Sequence, residues 1–339
     1  MTFPTPVGGT PLPVDFAPSV LFAVLYGILA PFAIFRFWQR RTRTTLLIST
    51  LAFAIERIVV FSLRAVAARN ETRRMSKGLA TYLQISFGMG FVGIANDLVK
   101  LLRCLLVNST FGSDTYDQSP AAATKECYIP KPPEGTPDNP RQRFLARRFA
   151  DFSNLAFLSA TVPGIVANIN YGNLIHNDHQ SDANRTFKLR YASCGVAFFL
   201  LIVLACAATW SRLKQPRTSK RACWTIALMT SLTGTIAIYR LSVMYHTTTS
   251  WTSTGPGTLN SSGAKAAFYI FHVLPEWLAS VALFSTSVRK AFGTGLVGDW
   301  RFRDETPAER QTRMEKQAKK AEKKKEKLGS YEMTIEPKV

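Results

Sequence analysis

The stretch Phe16-Ala-Pro-Ser-Val-Leu-Phe-Ala-Val-Leu-Tyr-Gly-Ile-Leu-Ala-Pro-Phe-Ala-Ile-Phe-Arg-Phe-Trp38 decides the fold. Its one charge, Arg36, sits near its end. At 1.5 Å per residue it measures ~35 Å, enough to cross the ~30 Å hydrocarbon layer of a bilayer. Lipid offers no partner to an unpaired backbone group, so such a segment must be a helix. Six further windows repeat the pattern, near 45–65, 79–107, 152–174, 191–210, 223–245 and 266–288. With 47% hydrophobic and only 19% charged residues, the 339-residue chain is too apolar and too blocky for an ordinary soluble enzyme. Its mean hydropathy of +0.03 averages apolar blocks with basic loops. The fold class expected is all-α, a polytopic membrane protein built as a bundle of seven transmembrane helices over residues 16–290. Residues 1–15 form its extracellular N-terminus and 291–339 a basic cytosolic tail.

Orientation follows from the basic residues. Of 42 Lys and Arg, six lie inside spans; with the N-terminus outside, 28 of the rest fall on cytosolic segments and 8 on outer ones. The positive-inside rule therefore places the N-terminus outside and the C-terminus in the cytosol. The segment 66–78, with Arg69, Arg73, Arg74 and Lys77, runs against the rule. The first span lacks a basic leader and a cleavage site, which reads as a retained helix. Glycosylation sequons at Asn70, Asn184 and Asn260 fall on outer loops, and one at Asn108 falls inside. Cys104, Cys194, Cys206 and Cys223 lie in or beside spans and Cys127 in a cytosolic loop, so no disulfide is expected. Cys104, Cys206 and Cys223 read either as helix packing or as palmitoylation positions.

The 108–151 loop is rich in Pro, Ser and Ala and reads as mobile. Its end, Arg141-Gln-Arg-Phe-Leu-Ala-Arg-Arg-Phe, suits the headgroup layer or a plain basic entry into the fourth span. The tail segment 313–327 carries eight basic and three acidic residues. Tethered beside a membrane, it points to anionic lipid as partner and not to nucleic acid; a merely solvated tail is the alternative.

Charges at bilayer depth are expensive and mark sites. Glu56 lies in the second span; Tyr239 and Arg240 stand near the outer end of the sixth; His272 and Glu276 share one face of the seventh, with Pro275 between them to bend it. By depth these residues line one outer-half cavity, with a Glu–Arg bridge between helices as the structural alternative. Lower down, Asp97 and Lys100 pair within the third span, and Lys100 and Arg103 reach toward the cytosol by snorkelling. Asn154, Asn168 and Asn170 read as glue between helices.

Other seven-helix chemistries fit poorly. A retinal protein needs a lysine in mid-span, and Lys265 stands only at the outer edge of the last one. The common receptor signatures are replaced by Leu98-Val-Lys-Leu-Leu-Arg and Leu274-Pro-Glu-Trp. A zinc hydrolase needs three ligands and an acid, whereas His176 and His179 lie in a loop, leaving His246 and His272. No cofactor, no metal and no enzymatic motif is expected.

Ala54-Ile-Glu-Arg-Ile-Val-Val-Phe-Ser-Leu-Arg, Ile238-Tyr-Arg-Leu and Phe268-Tyr-Ile-Phe-His-Val-Leu-Pro-Glu-Trp-Leu resemble fungal seven-span membrane proteins. They are most similar to a group known only as a domain of unknown function, and more distantly to the fungal lipid-translocating exporter family linked to toxic-sterol resistance. The resemblance implies that Glu56, Arg64, Tyr239, Arg240 and Glu276 match polar positions of that exporter family. His272 stands where the family tends to carry an Asp. Together these readings lead to the expectation of an integral protein of the plasma membrane or an endomembrane. It binds or moves a small amphipathic molecule or lipid; a divergent receptor or a ligand-free structural protein are the alternatives.

Overall fold

The computed structural model describes residues 2–174, 180–255, 257–316, 318, 319 and 322. The sequence consists almost wholly of helices: α1 Phe16–Trp38, α2 Ile48–Arg69, the short α3 Glu71–Arg74, α4 Lys77–Asn108, α5 Pro140–Leu174, α6 Gln180–Lys214, α7 Lys220–Val243, α8 Ser262–Phe268, α9 Leu274–Ser285 and α10 Val288–Phe292. A π turn, Tyr269–Val273, joins α8 to α9 into one continuous rod. The only strands among the described residues are β1 Phe3–Pro4 and β2 Thr247–Thr248, an antiparallel pair.

Six of these segments are long and apolar enough to cross a membrane: Pro13–Trp38, Thr45–Arg69, Pro140–Ile169, Ser181–Lys214, Lys220–Val243 and Ser262–Ser285. Their outward faces are apolar, with Leu21, Ile28, Phe35, Phe152, Phe199 and Ile238 exposed, while Arg57, Arg64, Arg190 and Glu276 are buried inside. Such an inverted distribution is stable only where the surroundings are oil, so the chain is membrane-integral. α4 sits at the centre, packed against α2, α5, α6 and α7.

The structure corrects several expectations. The 108–151 segment is folded: Asn108 ties to the Phe292 and Gly293 carbonyls, Tyr128 donates to Lys290 O at 2.9 Å, and Phe111, Ala121 and Ile129 are buried. Its last residues belong to α5, which begins at Pro140. Residues 293–300 pack with the bundle, so the separate tail begins at Arg301 and not at 291. Within that tail, Arg303 pairs with Glu309, and Arg301 and Arg313 with Glu305. Residues 317, 320, 321 and 323–327 of the basic segment, with His176 and His179 and the Asn170 side chain, lie outside the described residues.

The N-terminal segment packs onto the bundle. Residues 3–10 are all buried across the end of the bundle where α5 finishes and α6 begins. β1 pairs with β2, Gln84 and the Val7 backbone exchange two hydrogen bonds, Tyr171 donates to Pro4 O at 2.7 Å and Arg190 to Thr5 O at 3.2 Å. Gly8 makes this possible: at φ 78° and with the Phe268 ring 2.7 Å from where a Cβ would stand, no other residue fits. Asn260, expected to carry sugar, is buried in the same cap. Its Oδ1 accepts from Thr10 N and its Nδ2 donates to Trp251 O and Ser253 O, which removes it as a glycosylation site. Asn70 and Asn184 are exposed.

Candidate functional site

The buried face of α2 runs Ala54, Arg57, Phe61, Arg64, Ala68 at helical spacing, so both arginines enter the core and Glu56 is left at its side. Arg57 is fully buried and forks onto Glu276, Nε to Oε2 at 3.0 Å and Nη2 to Oε1 at 2.9 Å. Its Nη1 reaches Glu56 Oε2 at 3.2 Å and the Ser86 hydroxyl. Glu56, one third exposed, also accepts from Tyr82 at 3.0 Å and Ser86 at 2.5 Å. Gly90 lets this form, because a Cβ there would meet Arg57 and Glu276. Both Glu276 oxygens are thus taken, and its partner is Arg57 instead of Arg240. Glu56 and Glu276 belong to a bridge that crosses from α2 to α9, not to an open cavity.

Two turns further along α2 lies a second network. Asp15, at the start of α1, binds Arg64 at 2.8 Å, Lys265 at 2.8 Å and the Tyr269 hydroxyl at 3.0 Å. Arg64 and Lys265 both donate to the Gly8 carbonyl, and Lys265 to Thr10 O. These bonds latch the N-terminal cap to α1, α2 and α8. Lys265 and Arg190 read from sequence as loop residues; both are buried.

The remaining expected residues gather between α4, α7 and the π turn. His272 is fully buried, stacked on Phe268 at 5.2 Å and edge-on to Phe87 at 5.9 Å and Tyr239 at 6.1 Å. Neither ring nitrogen has a hydrogen-bond partner, and the Tyr239 hydroxyl has none. Arg240 donates from Nη1 to Phe87 O at 2.9 Å, but its Nε is unpartnered. Arg190, on α6, donates from Nη1 to Thr5 O while its Nε and Nη2 are unpartnered. The two guanidinium charges are near enough to repel each other. At this end of the bundle five buried cations, Arg57, Arg64, Arg190, Arg240 and Lys265, face three carboxylates, Asp15, Glu56 and Glu276. Arg190 has no acidic partner among the described residues, and Arg240 makes no ion pair there, although Glu276 is near enough to attract it and the Cys194 thiol is hydrogen-bonded to it. A guanidinium carries five donors, and buried ones are ordinarily all used.

At the other end Asp97 pairs with Lys100 at 2.8 Å as expected, and also accepts from the Thr50 amide and hydroxyl at the start of α2. Arg103 does not snorkel: it binds Asp151 and Asp299, and Asp299 also takes Arg147 at 2.9 Å. Asn168 bonds the Gly164 carbonyl of its own helix and glues no neighbour through that amide. Compared with family models, curated proteins and solved structures, the chain matches none.

Proposed function

We propose that the chain crosses the membrane seven times, N-terminus outside and C-terminus in the cytosol, with α4 as the seventh crossing helix. At 32 residues α4 is ~48 Å long. Residues 78–95 of it carry no charge, and Asp97, Lys100 and Arg103 beyond them are ion-paired. The basic residues of the α2–α3 turn stand outside in this orientation, and the count over the remaining segments outweighs them.

The chain binds, and carries between leaflets, an amphipathic molecule with an anionic head, such as a phospholipid. The head lies against Arg190 and Arg240, with Tyr239 and His272 as further hydrogen-bonding groups. The observation that carries this reading is the pair of buried guanidiniums that keep unpartnered donors and make no ion pair with a carboxylate among the described residues. An isolated buried charge costs several kcal/mol, and a phosphate or carboxylate accepts from guanidinium donors in the geometry that repays it. The π turn supports the reading, since such turns concentrate at functional positions and this one carries His272. The N-terminal cap closes the site from outside, so release of the Asp15 latch admits the ligand.

The test is transbilayer movement of a fluorescent phosphatidylserine, and of its choline counterpart, in liposomes holding the full chain. Faster movement of the serine lipid than in empty vesicles, lost in Arg240→Gln, is expected. Movement no faster than in empty vesicles contradicts it, and ligand-dependent recruitment of a cytosolic partner without flux would favour a receptor.

A further inference from the structure

A groove of about 660 Å³ opens between the start of α5 and the end of α6, far from the N-terminal cap. Leu145 and Phe149 of α5 face Val203, Ala207 and Trp210 of α6 across it, with Leu106 of α4 at its floor. Its size falls in the ~300–1,000 Å³ range of small-molecule sites. Leu145 and Trp210 are 58% and 47% exposed, so the groove faces the surrounding lipid and not the core.

The charges around the groove are sorted. Arg143 and Arg147, four residues apart, turn inward to Asp138 and Asp299. Arg141 lines the groove mouth, is exposed, and has no acidic partner among the described residues; Arg212 and Lys214 at the end of α6 are likewise exposed and unpaired. An apolar trough ending in unpaired cations beside polar Asn139 and Gln142 has the charge and polarity profile of one lipid molecule. We infer that this groove binds an anionic phospholipid of the adjoining leaflet, one acyl chain lying between α5 and α6 and the phosphate against Arg141. The inference does not depend on the proposed transport role.

Cys206 also lines the groove and is a free, exposed thiol. It lies eight residues before the end of α6 at Lys214, hence ~12 Å along the helix axis. An acyl group joined to it as a thioester would need its donor at hydrocarbon depth, so the occupant is a free lipid.

The experiment is native mass spectrometry of the full chain released from nanodiscs holding equal phosphatidylserine and phosphatidylcholine. The wild type is expected to retain phosphatidylserine preferentially. Arg141→Gln, at an exposed position that leaves the fold alone, is expected to lose about fivefold of that preference, the ~1 kcal/mol of one basic residue beside an anionic surface. Ala207→Trp, which fills the trough, is expected to retain neither lipid, and Lys188→Gln, on the opposite end of α6, to behave as wild type. Phosphatidylserine should also slow maleimide labelling of Cys206. An unchanged preference in Arg141→Gln, or an acyl mass that stays covalently attached to the protein, overturns the inference.

Discussion

The two ends of the bundle handle buried charge differently. At the end holding Asp299 the buried arginines each have a carboxylate, Arg103 with Asp151 and Asp299, Arg143 with Asp138 and Arg147 with Asp299, as does Lys100 with Asp97, while the half-buried Arg217 and Arg289 bond backbone carbonyls. At the capped end Arg57, Arg64 and Lys265 are matched, while Arg190 is left with a backbone carbonyl and Arg240 with a backbone carbonyl and the Cys194 thiol. Desolvation is costly at both ends, and a matched pair at best offsets it. On the proposed function, the paired arginines of one end are scaffold, and the fully buried Arg190 and Arg240 of the other are where a molecule from outside the chain completes the charge.

Mutations break or sharpen that contrast. Glu276→Ala strands Arg57 and should destabilise the folded chain by about 3–5 kcal/mol, read as the unfolding midpoint in detergent. Adding Arg57→Met to it should restore most of the loss, which a cavity effect alone would not allow. Asp299→Ala takes a shared carboxylate from Arg103 and Arg147 and should cost about 2 kcal/mol, with proteolysis beginning in 293–300. Arg240→Met carries the opposite sign. Removing a cation that makes no ion pair with a carboxylate should leave the ligand-free protein within ~1 kcal/mol of wild type, or more stable, while abolishing binding of the anionic lipid. A destabilisation as large as that of Glu276→Ala would erase the difference between the two ends.

The smallest effect concerns pH. Burial pushes the Asp138 carboxyl up, but hydrogen bonds from Arg143 and Thr115 outweigh it and hold the group at about 2, below its ordinary 3.8. Its contribution is therefore present above pH ~4 and lost as pH falls toward 2. Part of the carboxylate faces solvent, which limits the contribution to under ~1 kcal/mol. Wild type and Asp138→Asn should converge in stability across that interval, and a gap that persists at pH 2 contradicts the assignment.

The helices were legible because lipid imposes about twenty apolar residues per crossing, and α1 matches its reading at Phe16–Trp38. The start of α5 was not, because Arg143 and Arg147 look like loop charges until Asp138 is placed beside the first and Asp299, 152 residues away, beside the second. Arg57 could have been found: it shares a helical face with Ala54, Phe61 and Arg64, whereas Glu56 beside it is turned about 100° away. The cap was hidden, since Phe3–Thr10 has no periodicity and Arg190 and Lys265 count as loop residues once no one knows what covers them. The π turn inserts a local change of helical phase at His272 that no 3.6-residue wheel anticipates.

A density map of the full chain in phosphatidylserine nanodiscs tests the charge imbalance most directly. The account predicts a phosphate or carboxylate group of a bound molecule within hydrogen-bonding distance of both Arg190 and Arg240, beneath the N-terminal cap. Finding instead that a carboxylate of the chain itself closes on those two guanidiniums, with no further density between them, would contradict it.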